Sequence, residues 1–124
     1  MSIRIGWVRC DTYEDARRLA GVYLHERAGR SIYWGKAEKT FGERYRLGYK
    51  HWIEICLENG SRLYVGVLQR NARSRLVDVE RTLILQYGSV MNKHKLQPSR
   101  KTVIRHAGEI PRCIRRKMRS KQVG

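Results

Sequence analysis

The sequence predicts an α+β fold in which a small antiparallel sheet, made of two hairpins, is flanked by helices. Two pairs of apolar segments rich in β-branched and aromatic residues each surround a turn signal, at 28–29 and at 59–60. Segments with helical periodicity and helix-capping residues separate and follow these pairs. A chain of 124 residues is long enough for one such domain and a tail.

Capping boxes predict two short helices. Asp11, with a glutamate three positions later, is expected to begin a helix over 11–20. Thr40, again with a glutamate three positions later, is expected to begin a second helix over 41–49. Both helices would lie beside the first hairpin.

The first hairpin has strands at 21–26 and 31–36, joined by a tight turn at 28–29. Its register decides whether Tyr23 and Tyr33 share a face of the sheet. Opposing residue numbers that sum to 56 place both tyrosines on one face, whereas a two-residue turn at 28–29 gives a sum of 57 and opposite faces. The sequence leaves both registers open.

The second hairpin is predicted from two segments, 52–58 and 62–68, that flank Asn59 and Gly60. A polar loop at 71–75 follows it. The next helix is predicted over 76–87, where Gly88 is suited to the position after a helix C-terminus.

Glu80 is expected to point toward the core side of this helix. It lies about 40° around the helix axis from Leu76, within the stripe formed by Leu83, Ile84 and Tyr87. A carboxylate in such a position is costly unless it is paired or binds a cation. The sequence therefore leaves two interpretations, a buried salt bridge and a metal ligand or acid/base group.

The chain is strongly basic. It contains 27 Lys and Arg against 11 Asp and Glu, a net charge of +16, whereas solubility alone needs a magnitude of about 2–8. Such a field attracts polyanions, most often nucleic acid. Residues 93–124 hold eleven bases and one acid, which is +10 of the +16. We therefore expect a folded body over 1–92 and a basic arm over 93–124. The arm either contains a short basic amphipathic helix that begins at Pro111 or is disordered.

An ordered set of motif residues spans the body: Gly21-Val22-Tyr23, then Tyr33-Trp34-Gly35 after nine intervening residues, Lys36-Ala37 directly after that, Arg44, Glu80 and Asn92. This set resembles the GIY-YIG nucleases, and is especially similar to the nuclease domain of the bacterial excision-repair incision subunit. The resemblance covers about residues 21–92. It departs from the family pattern in the residues that replace both isoleucines and in the spacing to Arg44, which makes Arg46 an alternative to it.

The resemblance implies a metal-dependent endonuclease that hydrolyses phosphodiester bonds in DNA. Glu80 would be a ligand of Mg²⁺ or Mn²⁺, and Arg44 would bind phosphate oxygens in a planar fork. One of the two hairpin tyrosines would act on the attacking water, with Lys36 favouring its phenolate. The implied catalytic residues are Tyr23, Tyr33, Lys36, Arg44, Glu80 and Asn92. The candidate nucleic-acid-binding residues are Arg46, His51, Arg112, Arg115, Arg116 and Lys117.

The alternative hypothesis is a non-catalytic basic module that binds DNA or RNA on the same fold. A module that had lost catalysis would be expected to lack Glu80, Arg44 or a tyrosine, and all are present. DNA is the expected partner, RNA a second one, and the chain would act as a monomer or homodimer. The first residues lack an apolar signal region, and the three cysteines, an odd number, favour reduced thiols, so a cytoplasmic protein is expected.

Overall fold

The computed structural model describes residues 2–45, 47–92 and 97–123, without the side chains at 47–52 and 120–123. It shows an α+β fold with one five-stranded mixed sheet flanked by helices. In chain order the elements are β1 Ser2–Cys10, α1 Tyr13–Ala16, β2 Gly21–Arg27, β3 Arg30–Ala37, α2 Phe41–Arg44, α3 Leu47–Glu58, β4 Ser61–Leu68, a 3-10 helix Arg70–Arg75, α4 Leu76–Tyr87, β5 Val103–Gly108 and α5 Arg112–Val123.

The strand order across the sheet is β3-β2-β4-β1-β5. All neighbouring strands are antiparallel except β1 and β5, which are parallel. The predicted sheet of two antiparallel hairpins is therefore wrong in two respects, because the sheet is mixed and only β2 and β3 form a hairpin. β1 and β5 were not predicted. Long segments of chain separate β1 and β5 from the strands with which they pair, so no local turn signal in the sequence marks them.

The β2–β3 hairpin is confirmed, and its register is set by a bulge. Ala28 and Gly29 both have positive φ, as a two-residue hairpin turn requires, and opposing residue numbers near the turn sum to 57. The register then shifts between His25 and Glu26, so that His25 pairs with Tyr33 and the sum becomes 58. An even sum returns Tyr23 and Tyr33 to one face of the sheet.

The predicted second hairpin is wrong because its first half is helical. α3 covers Leu47–Glu58, and β4 pairs with β2 and β1 instead. Ile53 is fully buried and Leu57 packs against the same core, a spacing of four residues that suits one face of a helix. The β-branched and aromatic residues of this segment suggested a strand, but the burial of Ile53 and Leu57 follows helical periodicity.

The remaining helix predictions differ in accuracy. α4 ends at Tyr87 with Gly88 as its C-cap, as predicted. Thr40 caps α2, also as predicted, although α2 ends at Arg44. The first helix is shorter than predicted, and its capping box is formed by Thr12 and Asp15 in place of Asp11 and Glu14.

Two hydrophobic cores lie on opposite faces of the sheet. The first contains Trp34, Val22 and the buried face of α4. The second contains Tyr23, Phe41 and Tyr45. Because neighbouring residues of a strand point to opposite faces, β3 contributes to both cores and separates them at the edge of the sheet.

The basic C-terminal segment contains elements of the fold, and the predicted separate arm is not confirmed. β5 pairs with β1 along six residue positions. α5 begins at Arg112, directly after Pro111 as predicted, and its Ile114 is fully buried in the first core. Within the described ranges, no helix is long and apolar enough to cross a membrane.

Candidate active site

Tyr23 lies in the interior of the second core. Its side chain is 1% exposed, and its ring packs edge-on against Phe41 and Tyr45, with centroids 5.1 and 5.3 Å away. Its hydroxyl shares a short hydrogen bond with the hydroxyl of Tyr45. Burial, and then the Tyr45 hydroxyl, raise the pKa of Tyr23 well above the ordinary value for tyrosine. This environment opposes the phenolate form.

Gly35 makes room for the Tyr23 phenol. β2 and β3 place the two residues opposite each other, and the phenol crosses the backbone of Gly35. A Cβ at position 35 would lie 2.1 Å from Cζ of Tyr23, a distance that real side chains do not reach. The glycine of the second motif is therefore required by the tyrosine of the first.

Tyr33 lies beside Tyr23 but is less enclosed. The ring centroids are 6.1 Å apart, and Tyr33 is half-buried at the margin of the second core. His25, the cross-strand partner of Tyr33, packs against both rings. Burial lowers the pKa of His25 to about 4, so this histidine is neutral at neutral pH. Sequence reasoning missed the role of His25 because this residue belongs to no motif.

Asn92 braces the outer edge of β3. Its side-chain Oδ1 accepts a hydrogen bond from the Trp34 backbone N–H at 2.8 Å, and its Nδ2 donates to the Trp34 carbonyl at 2.9 Å. The Met91 N–H donates to the carbonyl of Ile32 at 2.9 Å. The side-chain amide thus replaces a neighbouring strand, and it holds the second motif from the side that β2 leaves open.

Glu80 is half-buried on α4, at the border of the first core. Burial raises the pKa of its carboxyl, while the positive charges of Lys36, Arg81 and Arg44 act in the opposite direction. Within the parts of the chain that the structure describes, no hydrogen bond or ion pair is found for this carboxylate. The predicted position on the core side of α4 is confirmed, and the described residues supply no salt bridge.

Lys36 and Arg44 line a groove beside the end of β3. Its volume is about 340 Å³, and Lys39, Thr40 and two glutamates complete its walls. Lys36 is 3.9 Å from the exposed carboxylate of Glu38. The Arg44 guanidinium lies 5.6 Å from the centre of the Tyr45 ring. These cations are therefore accessible from solvent.

The predicted catalytic residues form two groups around the β3 edge. Tyr23 and Tyr33 contact the second core, whereas Glu80 lies on the side of the first core. Lys36 lies on that side too, because its cross-strand partner Val22 belongs to the first core. Arg44 connects the groups electrostatically, since it influences the pKa of both Tyr23 and Glu80.

A metal at this site would depend on Glu80 as its protein ligand. No cluster of three or more His, Cys, Asp or Glu suited to a metal is found among the described residues. A single carboxylate without a salt bridge fits Mg²⁺, which keeps several waters and takes substrate phosphate oxygens as further ligands. It does not fit a structural zinc site, which needs four protein ligands.

The predicted nucleic-acid-binding residues have different outcomes. Arg46 lies outside the described residues, as does the side chain of His51. The other four are all exposed on α5: Arg112, Arg115, Arg116 and Lys117.

Comparisons of the chain with protein-family models, with curated proteins and with solved structures gave no significant match. The resemblance to the GIY-YIG nucleases therefore rests on the motif residues alone.

Proposed function

We propose that this protein is a metal-dependent endonuclease of the GIY-YIG type that hydrolyses phosphodiester bonds in DNA. The observation that carries the proposal is the state of Glu80. Its carboxylate is half-buried, no partner for it is found among the described residues, and three cations lie within electrostatic reach. A carboxylate kept in this way is costly to the fold, and it is useful as a ligand for a hard cation.

The substrate class follows from charge. The net charge of +16 favours a polyanion, and the groove at Lys36 and Arg44, with a volume of about 340 Å³, has room for a phosphate group. Arg44 offers two parallel N–H donors to phosphate oxygens, and its position near Glu80 brings the two functions together. Free thiols at all three cysteines are consistent with action in the cytoplasm.

In the proposed reaction a water molecule attacks phosphorus, one P–O ester bond breaks, and the leaving oxygen takes up a proton. Glu80 would hold one Mg²⁺ or Mn²⁺, which supplies positive charge to the phosphoryl oxygens. We assign the role beside the attacking water to Tyr33, because the Tyr23 hydroxyl is buried and bonded to Tyr45. Since Tyr33 and Glu80 lie on opposite sides of β3, the assignment requires the phosphate to bind at the end of this strand, beside Lys36 and Arg44. Tyr23 is assigned a positioning role, and Asn92 fixes the backbone of the second motif.

The direct test is nicking of supercoiled plasmid DNA with Mg²⁺, with Mn²⁺ and with EDTA. We expect cleavage with either metal and none with EDTA. Substitution of residues that only support a metal ligand costs about 10–100-fold, so Glu80→Gln should reduce the rate by at least about 100-fold. Binding of DNA by Glu80→Gln should be unchanged, since the basic surface is intact.

Glu14→Gln is the matched control, because Glu14 is an exposed carboxylate on α1 that pairs with Arg17. It makes the same change of charge and should cleave at the normal rate. Cleavage in EDTA, or a normal rate for Glu80→Gln, would remove the assigned role of Glu80. Tight DNA binding without cleavage by the unmodified protein would favour the non-catalytic DNA- or RNA-binding module.

A further inference from the structure

A second basic groove lies at the other end of β3. It is formed by the turn of the β2–β3 hairpin, the C-terminus of α4 and one side of α5, and its volume is about 430 Å³. Arg30, Arg116 and Lys117 line it, with Tyr87 among its aromatic and polar walls. No carboxylate is found among the described residues that line it.

The cations of this groove are held on ordered elements. The Arg116 guanidinium packs against the hairpin turn, where a Cβ on Gly29 would lie 2.6 Å from Nη2. Lys117 donates a hydrogen bond to the Gln86 carbonyl, and its Nζ lies 5.2 Å from the centre of the Tyr87 ring. These contacts define where a bound anion would lie, which a loose basic tail would not do.

α5 itself is anchored at its start. The buried carboxylate of Glu26, in β2, accepts a hydrogen bond from the Cys113 backbone N–H at 2.9 Å. This bond satisfies a free donor of the first turn and places a negative charge at the positive end of the helix. Ile114 is buried one residue further on. The hairpin and α5 therefore form one unit, and the groove between them has fixed walls.

The groove is aligned with the proposed active site along β3. Arg30 begins the strand and Lys36 is its penultimate residue, so six residue steps separate them. At about 3.3 Å per residue this distance is roughly 20 Å, which is shorter than a 20-base-pair duplex at about 3.4 Å of axial rise per base pair. A single DNA duplex is therefore long enough to contact both sites.

We propose that the groove of Arg30, Arg116 and Lys117 binds backbone phosphates of DNA about 20 Å from the bond that is cut. It is a positioning site that sets where the duplex crosses the active site. The proposal rests on the proposed nuclease function for its cleavage role, whereas the binding role can be tested without any cleavage.

The test measures affinity for a 20-base-pair DNA duplex, labelled for fluorescence anisotropy, as a function of salt. All proteins carry Glu80→Gln and the buffer contains EDTA, so that no cleavage occurs. One lost phosphate contact should reduce the steepness of log affinity against log salt by about 0.9. If the variant and its parent bind equally at about 1 M salt, the variant then binds roughly eightfold more weakly at about 0.1 M. Arg116→Glu should show at least this loss.

Arg105→Glu is the matched control. Arg105 is exposed on β5, four strand spacings or roughly 19 Å from β3 across the sheet, and the change of charge is the same. Its effect should stay within about threefold, because only the general field changes. Arg30→Glu, which alters a different element, should weaken binding as Arg116→Glu does, so that a local defect of α5 cannot explain the result.

Equal effects of Arg116→Glu and Arg105→Glu would overturn the proposal that this groove binds DNA. A loss of affinity confined to an RNA duplex of the same sequence would overturn it as well. These outcomes are separate from the fate of the proposed function. If the unmodified protein does not cleave DNA but Arg116→Glu still selectively weakens binding, the nuclease proposal fails and the groove stands. If cleavage occurs and both charge reversals act alike, the nuclease stands and the groove fails.

Discussion

Tyr23 and Tyr33 are neighbours with different environments. Both belong to the motif set and both lie on one face of the sheet, yet only Tyr33 keeps part of its surface exposed. Tyr23 fills the space above Gly35 and bonds to Tyr45. Mutations of the two hydroxyls should therefore separate a role in chemistry from a role in packing.

We predict that Tyr33→Phe reduces the rate of DNA cleavage by about 10²–10⁴-fold, the usual contribution of a positioned acid or base. Its melting temperature should hardly change. Tyr23→Phe should instead lower stability by about 0.5–1.5 kcal/mol, because it removes the buried hydrogen bond between the hydroxyls of Tyr23 and Tyr45. Single-turnover rates and urea unfolding of both variants check this, and the opposite pattern would exchange the two roles.

The sequence predicted single residues best where a physical constraint acts locally. Glu80 was expected on the core side of its helix because helical periodicity fixes its angle relative to Leu83. The environment of Tyr23 could not be predicted in this way. It depends on Tyr45, which lies 22 positions away and becomes a neighbour only after α2 has packed on the sheet.

At the scale of elements, local turn chemistry was a better guide than residue composition. The first hairpin was predicted from positions 28 and 29, whose backbone has the required positive φ. The bulge beside His25 was not predictable, since it depends on pairing with partners on both sides of β2. α3 was mistaken for a strand, because its apolar residues alternate as well as repeat every four positions.

The chain that follows α4 is hydrogen-bonded to a buried ion pair at the start of this helix. Arg75 and Asp78 are 3.3 Å apart, with side chains 10% and 9% exposed. Asp78 also accepts hydrogen bonds from the backbone N–H and hydroxyl of Ser99 at 2.8 and 2.9 Å. Burial alone would raise the pKa of Asp78, but the bonds from Ser99 and the charge of Arg75 lower it below the ordinary value of 3.8.

We predict that Asp78→Asn lowers the free energy of unfolding by about 3–5 kcal/mol at pH 7, the usual effect of removing one partner of a buried pair. Because the folded pKa is depressed, the stabilisation is present above pH 3.8 and is lost as pH falls through the lower folded pKa. Urea unfolding at pH 7, 5 and 3 should therefore show a difference from the unmodified protein that shrinks only at pH 3.

Asp11→Asn is the control for charge, because the Asp11 side chain is 73% exposed. It should cost less than about 1 kcal/mol, as exposed ion pairs do. A difference for Asp78→Asn that stays constant down to pH 3 would contradict the proposed linkage to ionisation.

At the scale of the whole molecule, the basic C-terminal segment combines folding and charge. Its composition suggested a separate tail, because eleven of its residues are Lys or Arg and few are apolar. The few apolar residues are nevertheless placed where the fold needs them. Ile104 lies in β5 beside β1, and Ile114 enters the first core. Overall charge therefore concealed the strand β5, which completes the sheet, and the packing of α5 on the first core.

The contribution of α5 to stability can be measured by comparing two apolar residues on the same helix. Ile114 is fully buried, whereas Met118 is 38% exposed. We predict that Ile114→Ala lowers the free energy of unfolding by about 2–5 kcal/mol, because it removes buried methyl groups and leaves a cavity. Met118→Ala should change it by no more than about 0.5 kcal/mol, as for an ordinary surface substitution.

Urea unfolding followed by tryptophan fluorescence would record both values, since Trp7 and Trp34 lie in the core that Ile114 enters. Equal, small effects of the two substitutions would mean that α5 does not pack on the body, and would favour the separate basic arm. The expected difference has a consequence for DNA binding as well. Ile114→Ala should weaken DNA affinity only where the protein begins to unfold, because the cations of α5 act from a fixed position while the helix remains packed.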